Sequence, residues 1–306
     1  MASFTLLKPT VAVVTNVEAE HLENYENSED ELWRAFGIFV GAASENVVLN
    51  ADDITLCQKL DSGNRALTYS TKRENHSSVW CYSAYPEHQQ TKFELCHIGY
   101  YDKETDTEDF VGTFNLGSPG HHNVSNALAA LTAVWPLDIQ PQESAKTLAD
   151  FHGVKRRFQR IGEANRVLVY DDYGHHPTEV ARTLETARDF LERPVVAVFQ
   201  PHRYSRTQQM GHEFGPSFAA ADKVIITELY SAFEEPIAGV SGRIVFDSVR
   251  QAFPDKPVFF ASNLDEARRL ALQHAQPGDA VFFMGAGDIT KVPPLFLEDL
   301  EKSGMR

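Results

Sequence analysis

The chain has 306 residues, 42% of them hydrophobic and 23% charged, with a formal net charge of −15. That length suits two domains of roughly 150 residues each, and the composition is that of an ordinary soluble protein with no apolar run near the roughly 18 residues that span a bilayer. The acidic balance works against nucleic acid as a partner, and an amino terminus without a signal-peptide cleavage pattern points to the cytoplasm.

In chain order, "TVAVVTN" (10–16) predicts a strand, and the acid-rich "EAEHLENYENSEDEL" (18–32) a loop that runs into a helix marked by Leu32, Phe36 and Phe39. Residues 54–116 alternate apolar and polar segments, as in "SVWCYSAY", "FELCHIGYY" and "DFVGTFNLG", which predicts several short antiparallel strands. "SPGHHNVSNALAALTAV" (118–134) reads as a loop feeding a helix with Val124, Leu128 and Leu131 on one face, and Pro136 and Pro141 close the segment. Cys57, Cys81 and Cys96 are an odd number without C-x-x-C spacing, so reduced, half-buried thiols are expected rather than disulfides or structural zinc.

From about residue 160 the texture changes to apolar strands alternating with amphipathic helices. "RVLVYDDY" precedes "PTEVARTLETARDFLE", "PVVAVFQP" precedes a helix near 207–220, and "KVIITELY" follows; "PVFFAS" then precedes "LDEARRLALQHA", and "DAVFFMGAG" a terminal helix. Val-, Ile- and Phe-rich strands between helices predict a parallel sheet covered on both faces, with its ligand edge beyond the strands' carboxyl ends. The domain boundary is placed near 150–160.

That edge concentrates the candidate chemistry. "DDYGHHP" follows one strand and precedes a helix that Pro177 can open, so Asp171, Asp172, His175 and His176 either cap the helix or line a site. "FQPHRYSRT" (199–207) ends another strand and brings His202, Arg203 and Arg206. Imidazole, carboxylate and guanidinium groups converging there suit an anionic substrate, since arginine forks clamp carboxylates or phosphates. "TNVEAEHLE" places Glu18, Glu20, His21 and Glu23 after the first strand, either as a solvated acidic loop or as a site for nucleotide-bound Mg²⁺ or Mn²⁺. The G-x-x-x-x-G at Gly112 and Gly117 is followed by Ser118 and Pro119, without the lysine a phosphate loop needs. "GAGDI" (285–289) reads as a tight turn onto a helix.

Taken together, "TNVEAEHLENY", "NADD", "PGHHNVSNALAA", "FHGVKRRFQRIGE", "DDYGHHPTEV", "FQPHRYSRT" and "MGAGDI" resemble, in the same order, the L-alanine-adding branch of the Mur ligase family of bacterial peptidoglycan synthesis. The resemblance implies an α/β architecture: an incomplete P-loop-type central, ATP-binding domain over 1–153, then a Rossmann-like parallel-sheet, amino-acid-binding domain over 154–306. It implies ATP-dependent amide synthesis, in which the carboxylate of UDP-N-acetylmuramate takes the γ-phosphoryl group and the amine of L-alanine attacks the acyl phosphate, with Mg²⁺ or Mn²⁺ as cofactor. Residue by residue it implies His21 and Glu20 as metal ligands, Glu20 standing where the family usually has Asp. It implies Asn123, Asn126, Arg157 and Asp172 as nucleotide contacts, with His21, Arg157 and Asp172 serving catalysis. The resemblance also implies Tyr173, His175, Arg203 and Arg206 as the pocket for the amino acid and the muramoyl end.

The family's G-K-T phosphate loop and uridine-binding domain have no counterpart in the chain, so a poor ligase with an exposed sheet edge is expected. Two readings stand beside the first: a non-catalytic remnant or partner of a separately encoded amino-terminal segment acting in trans, and the related ligase that attaches a tripeptide to UDP-N-acetylmuramate. An oxidoreductase is disfavoured, because no G-x-G-x-x-G follows the first strand of either half.

Overall fold

The computed structural model describes residues 3–19, 22–60, 62–75, 77–87, 90–98 and 110–304, which divide into two compact units, Met1–His152 and Gly153–Arg306. Among the described residues no helix is long and apolar enough to cross a membrane.

The first unit runs β1 (Val11–Val14), α1 (Glu29–Gly41), β2 (Asn46–Asn50), α2 (Ile54–Lys59), β3 (Ala66–Ser70), β4 (Val79–Glu87), β5 (Gln90–Ile98), β6 (Gly112–Leu116), α3 (His121–Val134) and α4 (Pro141–Asp150). Helix α1 starts where Ser28 accepts from the Glu31 amide at 3.4 Å, with Glu29, Asp30 and Glu31 at its positive end. The six strands order β1-β2-β3-β4-β5-β6, parallel from β1 to β4 and antiparallel from β4 to β6. Val124, Leu128 and Leu131 of α3 pack on Val48, Leu67, Phe93 and Phe114, while Val40 and Leu56 join Ala12, Val14 and Val47 in a second cluster. Strand β1 is hydrogen-bonded on one side, and Val13 on it is 38% exposed.

The expectation of antiparallel strands throughout 54–116 is corrected here. Residues 54–59 form α2, because the Asp53 carboxylate caps it by accepting from the Leu56 amide at 3.0 Å. Strand β3 is parallel to both neighbours, and the antiparallel order begins only at β4. Pro141 opens α4 at its first position instead of closing the preceding segment, a place where its missing N–H costs nothing. Cys57 and Cys81 are thiols outside any disulfide; the side chain of Cys96 lies outside the described residues.

The second unit runs β7 (Gln159–Ala164), β8 (Val167–Asp172), α5 (Pro177–Leu191), β9 (Val195–Phe199), α6 (Tyr204–Met210), β10 (Lys223–Thr227), α7 (Arg243–Ala252), β11 (Val258–Ala261), α8 (Leu264–His274), β12 (Ala280–Met284) and α9 (Val292–Ser303). The sheet orders β11-β10-β9-β12-β8-β7, all parallel except the edge strand β7. Alternation divides its buried residues between the two faces. Leu168, Tyr170, Ala197, Phe199 and Phe282 meet Val180 and Leu184 of α5 and Val245 and Val249 of α7. Val169, Val198, Ile225 and Phe283 meet Ala267 and Ala271 of α8 and Phe296 and Leu300 of α9. Two elements have no counterpart in the sequence reading, β7 and α7, and the helix expected near 207–220 is the shorter α6 followed by 3-10 turns. The last strand in the chain, β12, sits between β8 and β9, so three carboxyl ends lie side by side.

Candidate active site

At the end of β8 the two adjacent aspartates serve opposite faces. Asp171 accepts from the Thr290 hydroxyl at 2.6 Å and lies 3.7 Å from Arg156 Nε. Asp172, 2% exposed, accepts from the amides of Phe158 at 2.8 Å and Gly174 at 2.7 Å and from the Thr183 hydroxyl at 3.3 Å. Burial pushes its carboxyl above the ordinary range, although these donors and Arg157 pull the other way. Position 174 is glycine because a Cβ there would meet Asp172 Oδ1 at 2.7 Å. His176 takes the capping role, accepting from the Thr178 amide at 3.4 Å to start α5.

Beyond the strand, Tyr173 lies under two guanidinium groups, Arg156 at 4.8 Å and Arg157 at 5.5 Å from its ring centre. Arg156 also donates to the carbonyls of Gly285 at 2.6 Å and Gly287 at 3.3 Å, fastening the segment before β7 to the turn after β12. Arg157 pairs with Glu179 at 3.2 Å, and Glu179 accepts from the His175 amide at 3.0 Å. Burial acts to raise the Glu179 carboxyl, yet the His175 amide and the charges of His175 and Arg157 outweigh it and hold it below the usual range.

At the end of β9, His202 stacks on Tyr230 with ring centres 5.7 Å apart and meets the edge of His175 at 5.8 Å. Burial first, then His175, Arg203 and Arg206, lower its pKa to about 4 against the opposing charge of Glu234, so this imidazole is neutral at pH 7. Arg203 adopts φ 68° and donates its amide to the Tyr230 carbonyl at 2.8 Å, while the Tyr230 amide returns a bond to the Pro201 carbonyl at 2.8 Å. Glu234 accepts from the Ser205 amide at 3.0 Å and hydroxyl at 2.6 Å and stands 3.9 Å from Arg203. Arg206 Nη1 is shielded from solvent and makes no hydrogen bond among the described residues.

The turn after β12 completes the edge. Gln200 donates to Asp288 at 2.9 Å and accepts from the Ile289 amide at 3.0 Å. Gly287 lies so close to Tyr230 that a Cβ would meet the Tyr230 Cβ at 2.7 Å. The "GAGDI" segment is thus a tight turn onto a short 3-10 helix and α9, as its glycines implied.

The second unit therefore brings together Arg157, Asp172, Tyr173, His175, Arg203 and Arg206 at one sheet edge. In the first unit, Asn123 donates to the Pro119 carbonyl at 2.6 Å and Asn126 is exposed on α3. Glu20 and His21, and the side chain of Glu23, lie outside the described residues. Among the described residues no group of three His, Cys, Asp or Glu side chains is arranged to hold a metal ion. Sequence reasoning passed over Glu179, Gln200, Tyr230 and Glu234, and took in Arg156 only as part of the basic stretch "KRRFQR" (155–160). Glu179 carried a signal, since it stands four residues after His175 at a helix start; Tyr230 carried none.

Comparison with known proteins gives the following. Residues 2–134 match the family model for the Mur ligase middle domain, and residues 156–287 match that for the Mur ligase glutamate ligase domain. Over its whole length the chain is 36% identical to UDP-N-acetylmuramate--L-alanine ligase of Syntrophomonas wolfei, covering 64% of that protein. It is 37% identical over 98% of its length to the ligase of the same name from Gloeobacter violaceus, covering 61% of it. The chain thus spans 61–64% of the length of these curated relatives. Among solved structures, UDP-N-acetylmuramate-alanine ligase MurC of Thermotoga maritima superposes with a TM-score of 0.78 at 26% identity, over 98% of this chain and 61% of that one. The murein peptide ligase Mpl of Psychrobacter arcticus shares the fold, with a TM-score of 0.60 at 23% identity over 98% of this chain and 59% of that one.

Proposed function

This chain belongs to the Mur ligase family, and we propose that it serves the joining of L-alanine to UDP-N-acetylmuramate at the expense of ATP. In this reading the carboxylate of the muramoyl group is phosphorylated by ATP and the amine of L-alanine displaces the phosphate. The second unit supplies the amino-acid pocket. Arg206 and Arg203 take the alanine carboxylate, and Tyr173, His175 and His202 surround the amine and the muramoyl end. Asn123, Asn126, Arg157 and Asp172 are proposed as nucleotide contacts, and Glu20 and His21 as ligands of Mg²⁺ or Mn²⁺, on the strength of the sequence resemblance.

One observation carries the reading: a solvent-shielded guanidinium nitrogen, Arg206 Nη1, without a partner and next to an imidazole held neutral. A buried donor on a cation costs free energy unless an acceptor completes it, and a small carboxylate is the acceptor that fits. His202 contributes no second positive charge, so the pocket tolerates the ammonium of a zwitterionic amino acid.

The test is titration calorimetry with L-alanine on the wild-type chain and on Arg206→Ala. Saturable binding that weakens at least about tenfold in the variant is expected, from the loss of one charge-assisted hydrogen bond. Binding unchanged by the substitution would remove Arg206 from the pocket. Binding of an L-alanyl tripeptide in place of L-alanine would reassign the chain to the tripeptide ligase.

A further inference from the structure

His175 Nδ1 lies 3.1 Å from the Tyr173 carbonyl oxygen and 3.3 Å from Glu179 Oε2. Neither oxygen has a hydrogen to give, so Nδ1 must carry one, and in the neutral ring the basic lone pair belongs to Nε2. The same Glu179 oxygen accepts from the His175 amide, and its partner oxygen is held by Arg157, which fixes the carboxylate against the ring.

We propose that His175 and Glu179 form a proton-accepting pair, in which His175 Nε2 receives a proton from the attacking amine and Glu179 is the positioning residue that fixes the tautomer. The proposal rests on the ligase reading above. An amino acid enters as an ammonium with three protons, and only a neutral amine attacks. As the new C–N bond forms and the C–O bond to phosphate breaks with its electron pair on the leaving oxygen, the amide keeps one proton. One leaves with the phosphate as HPO₄²⁻, and one moves to His175 Nε2, from which solvent later removes it.

The surrounding charges suit this assignment. Glu179 faces the ring from α5 and shares its carboxylate, one oxygen toward the ring and the other toward Arg157. Arg156 lies over the Tyr173 ring, which meets His175 edge-on at 5.2 Å. From the segment after β9 the facing group is His202, with Arg203 and Arg206 beyond it. His202 itself is a poor acceptor, since burial and those arginines hold it neutral down to about pH 4. The imidazolium formed at His175 would have a carboxylate on one side and a neutral ring on the other, a general-base arrangement in which the orienting group stabilises the charge.

The test is side-chain ¹H–¹⁵N NMR of the histidines in the full chain, with pH titrations of the free protein and of protein saturated with L-alanine or with propionate. The proposal predicts an Nδ1–H tautomer for His175 and a titration midpoint that moves to lower pH with L-alanine, whose ammonium competes for Nε2, but not with propionate, which lacks it. Glu179→Gln should lower the midpoint of the free protein while L-alanine affinity stays within about threefold. An Nε2–H tautomer, or a midpoint that L-alanine and propionate move alike, would overturn the pair and leave the ligase reading intact. Absence of L-alanine binding to the wild-type chain would overturn that reading and the pair with it.

Discussion

Arg156 and Gly285 are 129 positions apart, yet the arginine donates to the glycine carbonyl at 2.6 Å. The contact ties the entry of the second unit to the end of its last strand, and the same guanidinium shields the buried Asp171. Removing it orphans the Gly285 carbonyl and takes a nearby positive charge from Asp171, which keeps its bond from Thr290. Arg156→Ala should cost about 2–3 kcal/mol in urea unfolding of the second unit, the range for a lost charged hydrogen bond that leaves a buried partner. An unfolding midpoint unchanged from wild type would show that the tie is dispensable.

The depressed pKa of His202 has a stability consequence with a definite sign. The folded form sits at about 4 against 6.5 for the free group, so protons bind the unfolded state more readily between these values. Its contribution is fully present above about pH 6.5 and is lost as pH falls toward 4. Asp172, pushed upward by burial, has the opposite slope, stabilising more as pH falls. Comparison with His202→Gln isolates the histidine: the wild type should lose stability relative to the variant from pH 7 to 4. Parallel profiles would contradict the buried neutral imidazole.

Asp172 should tolerate little change. Its oxygens accept from two amides that shape the segment before β7 and the turn after β8. Asparagine would present N–H groups to one of those donors, so Asp172→Asn is expected to destabilise by about 2 kcal/mol, read as a shift in chemical-denaturation midpoint. A variant as stable as wild type would refute the organising role.

For Arg206 the expectation reverses. Its buried Nη1 has no partner, so truncation removes an uncompensated donor. Arg206→Ala should leave stability within about 0.5 kcal/mol of wild type or raise it, while weakening amino-acid binding. Large destabilisation would mean the side chain is structural.

Much of the second unit was legible in the sequence because its buried strands are short runs of Val, Ile and Phe, and parallel strands covered on both faces impose that pattern. The placing of "DDYGHHP" and "FQPHRYSR" at one edge followed from that alone. Strand β7 was not legible, since "QRIGEA" is a half-exposed edge with no apolar run, and α7 follows a long loop with no capping side chain. In the first unit β3 alternates like an antiparallel strand, and only the cap at Asp53 separates α2 from a strand in the sequence. Within the site, chemically obvious residues could be named in advance, whereas Tyr230 acts through stacking where the ends of β9 and β10 meet, and Gln200 through a backbone bond that the chain order of β12 creates.

The most direct measurement for the whole account is a search for intermolecular NOEs from the methyl group of ¹³C-labelled L-alanine to the imidazole protons of His175 and His202. The account predicts cross-peaks to both rings, with none in Arg206→Ala at the same ligand concentration. Bound L-alanine that gives cross-peaks elsewhere, or none to either ring, would contradict the placement of the amino-acid pocket at the ends of β8 and β9.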